Sequence, residues 1–191
     1  MSRVYIPTTG PADWQRLLAH PDKHWRSGFS AKTLAHCWED ANGLPREIAS
    51  MLKPHGGDVE LLLATPEHKV PLPGASRGQS QNDVFALARA GDRTFAIMVE
   101  GKVQESFGEP LGDWLRNASA GKHQRLAFIA DRLGLTLPLP GHIYYQLLHR
   151  AASAVIEAGR FKTDAAAMIV HSFRRKESGS RPLRSSLLCS T

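Results

Sequence analysis

The stretch "DVFALARAGDRTFAIMVEGKV", residues 83–103, holds two apolar runs separated by Gly91-Asp92. A two-residue connection containing glycine suits the turn that joins two twisted antiparallel strands, because glycine supplies positive φ without steric cost. The turn fixes the register, so that opposed residues have numbers summing to 183. Ala90 then faces Arg93, Ala88 faces Phe95 and Asp83 faces Glu100. Directly opposed Cβ atoms lie about 4.5 to 5.5 Å apart, a distance at which like charges destabilise a sheet. Lys102 shares the face of Glu100 by strand alternation, opposite Gln81. The second run is apolar at successive positions (Phe95 to Val99), as expected of a central strand covered on both sides, so its terminal charges emerge from a core.

Flanking segments supply the remaining elements. Trp14, Leu17 and Leu18 recur at helical spacing before Pro21, predicting a short first helix. Ser30 is placed to cap a helix carrying Leu34, Trp38 and Ala41, and "NGLP" separates it from a second through Ile48 and Leu52, an α-hairpin. Val59 to Ala64 reads as a buried strand, after which the prolines of "TPEHKVPLPG" argue against continuous pairing. "ASRGQSQN" reads as a polar loop. Beyond the hairpin, "EPLGDWLRNASAGKHQRLAFIADRLGL" predicts a short and a longer helix, the latter with Leu126, Ile129 and Leu133 on one face. "HIYYQLLHRAASAVIEAG" predicts a long helix with a stripe of Ile143, Leu147, Ala151, Val155 and Ala158 ending at Gly159. "AAAMIVHSF" reads as a last buried strand, which after a helical crossover joins the sheet parallel to its neighbour. The expected class is α/β, with the element order helix, three-strand antiparallel meander, helix, strand.

Composition narrows the function classes. A chain of 191 residues, 42% of them hydrophobic, supports one domain with a sizeable core. Cys37 and Cys189 lie far apart with no clustered metal-ligand spacing, which supports neither a disulfide framework nor a zinc site and favours a reducing, cytoplasmic setting. No secretory leader or membrane-spanning run is present, so no membrane partner is expected. The formal charge of +6 is uneven: residues 174–191 hold five bases and one acid, +4 of the total, which leaves +2 for the first 173 residues. The domain is therefore taken as 1–173 and the Ser-rich basic end, 174–191, as a disordered tail.

Two carboxylates forced together either share a proton or hold a cation. Mg²⁺ (or Mn²⁺) is held by one or two carboxylates and keeps positions for water and phosphate oxygens, and Lys102 beside it could orient water or neutralise charge on phosphorus. On the residues alone, ordinary polar side chains at a solvated hairpin end remain the competing reading.

The pattern Asn82-Asp83, sixteen residues, then Glu100-Gly101-Lys102, together with the element order, resembles the PD-(D/E)XK nuclease superfamily. The phrases "PEHKVPLPG", "SQND" and "YQLLHRAASAVIEA" resemble an uncharacterised bacterial domain family grouped with it. The resemblance implies a restriction-endonuclease-like core with an N-terminal α-hairpin. It implies Asp83 and Glu100 as metal ligands together with the Gly101 carbonyl, and Lys102 as the catalytic lysine. It departs from the name-giving motif in having Asn82 where the proline would stand. Glu39 on the first core helix is the expected further acid, with Glu105, Gln81 and Gln124 as supplementary candidates. Ser80 and Lys122 are weaker candidates still, and His149, Arg150 and His171 are taken as structural. The implied activity is metal-dependent phosphodiester hydrolysis in nucleic acid, DNA foremost. A nuclease-like scaffold that binds without cutting is the alternative, favoured by the near-neutral body, and a homodimer is left open.

Overall fold

A computed structural model describes residues 8–18, 20–26, 28–74, 78–173 and 188–190. A 3-10 helix (Pro11–Leu17) and α1 (Pro21–His24) precede α2 (Ser30–Asp40) and α3 (Arg46–Leu52). Strands β1 (Val59–Pro71), β2 (Gln79–Ala90) and β3 (Arg93–Lys102) follow, then α4 (Leu111–Trp114), α5 (Ala120–Arg132), α6 (Tyr145–Phe161), β4 (Ala165–Ser172) and β5 (Leu188–Ser190). The sheet order is β1-β2-β3-β4-β5, mixed, with β3 and β4 parallel and the other pairs antiparallel. The α/β class and the parallel arrival of the late strand agree with the sequence.

Alternation along β3 divides the interior. Phe95, Ile97 and Val99 pack with Leu34 and Trp38 of α2 and Ile48 and Leu52 of α3. Ala96 and Met98 face the other way, with Phe85 and with Ala154 of α6. A third cluster, Leu111, Leu126, Ile129, Leu148 and Ala152, seats α5 against α6. β3 is buried from Phe95 to Gly101, the two-sided burial its apolar run implies. Each such large side chain contributes about 1.5 to 3 kcal/mol on removal from water.

The β2–β3 register pairs Ala90 with Arg93, Ala88 with Phe95 and Val84 with Val99, all summing to 183. Gly91 sits at φ 60, and a Cβ there would come 2.3 Å from the Gly56 carbonyl oxygen, so both conformation and space require glycine.

Several local expectations are corrected. β1 does not stop at Ala64 but runs through Pro66 to Pro71, pairing with β2 as far as Gln79. The prolines are tolerated because β1 is the edge of the sheet, where a missing N–H deprives no neighbour. The same pairing makes residues 79–82, expected in a loop, the start of β2. Ser30 is the first residue of α2, not its cap; Phe29 holds that position without a side-chain bond. α6 extends past Gly159 to a left-handed Lys162, and its buried face is Leu148, Arg150, Ala151, Ala152, Ser153, Ala154 and Glu157; of the expected stripe Ala151 is buried, and Ile143, Val155 and Ala158 are half-buried against the cores. In the tail expected to be disordered, Leu188–Ser190 forms β5 along β4, where it satisfies backbone groups of an otherwise open edge. The rest of that tail, 174–187 and 191, lies outside the described residues.

Gly91→Val should lower the unfolding free energy by roughly 2 kcal/mol or more, from left-handed strain plus the clash with Gly56. Urea unfolding measures it, and a loss under ~0.5 kcal/mol, the range of ordinary surface changes, would reject the proposed turn geometry.

Candidate functional site

Across the first three strands, level with the C-terminal end of β3, three acids lie in a row. Pro66 pairs with Val84 and His68 with Asn82, which sets Glu67 across from Asp83, and one step past the last β2–β3 pair, Val84–Val99, brings Asp83 level with Glu100. Glu67, Asp83, Glu100 and Lys102 border one cleft of about 370 Å³, closed on one side by Ser30 and Ala31 at the start of α2 and on the other by Gln146 and Arg150 of α6.

The row coincides with a roll of both strands. In β1, Ala64 packs in the α2–α3 core whereas Val70, of the same parity, packs in the α6 core. In β2, Val84 belongs to the first core whereas Ser80, again of the same parity, bonds His149 of α6. Glu67 lies between Ala64 and Val70 at φ 52, a left-handed conformation that costs a non-glycine residue about 1 to 3 kcal/mol. At the matching point of β2 the ladder to β3 ends at Val84. There the Gly101 N–H donates to Asp83 Oδ2 at 2.8 Å, a side-chain acceptor replacing a strand carbonyl.

Glu100 is 3% exposed, and a buried carboxylate is tolerable only when paired. Lys102 Nζ lies 3.0 Å from its Oε1, Gln146 Nε2 donates to the same oxygen at 2.7 Å, and Arg150 Nε donates to Oε2 at 2.7 Å. Lys102 Nζ also donates to the Ser106 carbonyl at 3.1 Å and to Gln146 Oε1 at 3.2 Å. Arg150 Nη1 reaches Ser80 Oγ at 3.3 Å, and Ser80 Oγ lies 2.8 Å from His149 Nδ1.

The cations are thus spent on Glu100, and the other two acids show it. Burial raises the Asp83 carboxyl well above the usual range, and the charges of Glu100 and Glu67 raise it further, against weaker help from Arg150 and the Gly101 N–H. Burial pushes Glu67 up to about 7, partly offset by its 2.5 Å bond from Gln81 Nε2. Such groups relieve their strain by binding a proton or a hard cation. Among the described residues, no three His, Cys, Asp or Glu side chains form a ready-made metal centre. Mg²⁺ does not need one, since it takes one or two carboxylates and retains waters. A residue's N–H and C=O leave a strand on the same side, so the Gly101 carbonyl points towards Asp83 as its N–H does. Asp83 and that carbonyl are oxygen donors of the kind a hard cation takes, while both oxygens of Glu100 are already bonded to Lys102, Gln146 and Arg150.

The supplementary candidates divide. Gln81 borders the cleft and holds Glu67. Glu105 also borders it, but its Oε1 accepts from the Ser30 N–H at 2.7 Å and its Oε2 from Val103 and Gln104 at 2.9 and 3.0 Å. Burial opposes that charge, but these donors outweigh it and hold the carboxyl near 2: Glu105 is a cap tying α2 to the end of β3 rather than a metal or water ligand. Glu39 is not at the site. It lies nine residues along α2 from Ser30, on the order of 13 Å at helical rise, and it accepts from Thr8 Oγ1 and Trp14 Nε1, both at 2.7 Å. Gln124 is exposed on α5 and borders none of the cleft, and Lys122 Nζ is bound to the Trp114 carbonyl. Sequence reasoning missed Glu67, and it missed Gln146 and Arg150 as the holders of Glu100. The i,i+4 spacing of Gln146 and Arg150 was the available signal for the latter pair.

The chain belongs to the family described as "Domain of unknown function (DUF6946)", whose family model matches residues 7–187. No curated protein and no solved structure matches it.

The titrations have opposite signs. Asp83 and Glu67 have folded values above their unfolded ones, so they favour the fold most at acid pH and withdraw that stability as pH rises, for Glu67 through about 7. Glu105, held near 2, stabilises above its ordinary carboxylate range and loses that contribution as pH falls towards 2. In metal-free buffer, Asp83→Asn and Glu67→Gln should each raise the melting temperature at about pH 8 and do much less at about pH 4. Glu105→Ala should cost about 1 to 2 kcal/mol at neutral pH. Thermal unfolding across pH checks all three, and a Glu67→Gln variant that tracks wild type throughout would refute the crowding of the acids.

Proposed function

We propose that this member of the family is a Mg²⁺-dependent phosphodiester hydrolase acting on nucleic acid, DNA foremost, on a restriction-endonuclease-like core. The observation that carries the reading is the convergence of Asp83, Glu100 and Lys102 on one cleft, with Asp83 left short of positive charge. The order of elements, helices, meander, helices and a parallel strand, supports the core assignment. That no helix among the described residues is long and apolar enough to cross a membrane is compatible with it, and the free thiol of Cys37 suits a cytoplasmic setting.

Asp83, Glu100 and the Gly101 carbonyl would hold the ion, which supplies Lewis acidity at a phosphate oxygen and a more acidic water. Hydrolysis adds hydroxyl to phosphorus, breaks the P–O bond to the leaving group and returns a proton to that oxygen. Lys102, on giving up one of its three acceptors, would donate to the attacking water or to the charge that develops on phosphorus. Arg150 and Gln146 fix the Glu100 carboxylate, and Glu67 adds negative field at the far side of Asp83.

A second reading, a scaffold that binds without cutting, draws on the fact that both oxygens of Glu100 already have partners. Cleavage assays on single-stranded and duplex DNA and on RNA separate the two. Mg²⁺ or Mn²⁺ should support cutting, Asp83→Ala and Lys102→Ala should each reduce it on the order of 10²-fold or more, and Mg²⁺ should raise the melting temperature of wild type but not of Asp83→Ala. A wild type inert on every substrate with both ions would leave only the scaffold.

A further inference from the structure

Beside the acid cleft lies a second recess of about 430 Å³ with a different lining: Phe107, Trp114, Tyr145 and His149 along the 105–109 backbone, with Glu105 and Gln146 bordering both hollows. Trp114 and Tyr145 stack at 3.9 Å and 11°, and Tyr145 meets His149 at 4.9 Å. Lys102 links the two spaces, since the ammonium that pairs with Glu100 lies 5.0 Å from the centre of the Phe107 ring.

His149 gives this aromatic wall a defined polar edge. Burial, with the neighbouring Arg150 and Arg125, holds its pKa near 3, so the ring is neutral at physiological pH. A guanidinium only donates, so Ser80 Oγ accepts from Arg150, and the same oxygen lies 2.8 Å from His149 Nδ1. In either tautomer the ring is a neutral hydrogen-bonding group bordering the recess. The rim carries Glu109, which repels phosphate. A flat, neutral, hydrogen-bonding group is what such a space accepts, and the negative group attached to it is directed towards Lys102 and the acid row.

We propose that this recess receives an unpaired nucleobase next to the phosphate held at Asp83 and Glu100, making single-stranded nucleic acid the substrate class. The proposal rests on the phosphodiesterase reading of the acid row. Duplex binding draws on many phosphate contacts, and the first 173 residues set 19 Lys and Arg against 17 Asp and Glu, a net +2 that gives little attraction for them. Stacking needs no such charge, because every base presents a π face.

The test uses the wild-type protein with Ca²⁺ in place of Mg²⁺, titrated with labelled oligothymidylate and with a duplex of equal length, and read by anisotropy and tryptophan fluorescence. The single strand should bind about tenfold tighter than the duplex and quench fluorescence. Trp114→Phe should remove most of the quench, and Phe107→Leu should weaken single-strand binding about tenfold, in the range of one lost stacking contact. Duplex binding equal to or tighter than single-strand binding overturns the proposal. So does unchanged single-strand affinity in both Phe107→Leu and Trp114→Leu, each checked for folding by circular dichroism. Single-strand binding of this kind without cleavage in Mg²⁺ would sustain the recess and sink the hydrolase, whereas equal cleavage of duplex and single strand would do the reverse.

Discussion

The buried carboxylate of Glu100 is the constraint around which the site is arranged. An isolated charge at the end of a central strand would cost several kcal/mol, so it must be paired, and its three partners come from two elements. Lys102 is two residues along the same strand; Gln146 and Arg150 stand one turn apart on the first half of α6. Satisfying one anion therefore fixes the rotation of α6 against the sheet. Ser80, His149 and Ser106 are held at one remove through Arg150 and Lys102.

The opposite wall is set by a second carboxylate in an opposite state. Glu105 accepts three backbone N–H groups, one of them from the first residue of α2. The two helices that flank the cleft are thus tied to the end of β3 from either face, within five residues of one another in sequence. Asp83 and Glu67 occupy the gap between these ties. Their crowding follows from the roll of β1 and β2, which turns side chains of one strand face towards the other core at that row.

The hairpin was legible because a two-residue turn leaves only one register, and the register places Asp83 against Glu100 by counting. Glu67 was not, for two reasons. Edge position excuses the prolines of β1, which sequence alone cannot establish. A bulge between Leu61 and Leu63 also shifts the pairing by one residue, so counting from the other end fails. Glu39 misled because an acid on a helix gives no sign of which end of that helix meets the sheet. The face of α6 was hidden by its chemistry: Arg150, Ser153 and Glu157 are buried against the sheet while Leu147 and Val155 are only half-buried, so polarity pointed the wrong way. Glu105 looked like a solvated acid because its donors are backbone groups, one of them seventy-five residues away.

Charge balance joins these observations to the proposed chemistry. Glu67, Asp83 and Glu100 face Lys102 and Arg150, three potential negative charges against two positive, while the charge of Glu105 is already consumed by backbone donors. With all three acids ionised the cleft is one negative charge in excess, which adds to burial, the larger cause, in holding protons on Asp83 and Glu67 above the ordinary carboxylate range. One divalent cation would reverse that to a single positive charge. A phosphodiester carries one negative charge, so ion and substrate together would leave the cleft neutral, whereas either alone would not. On the proposed chemistry the acids would therefore favour joint occupancy by metal and phosphate over binding of either by itself.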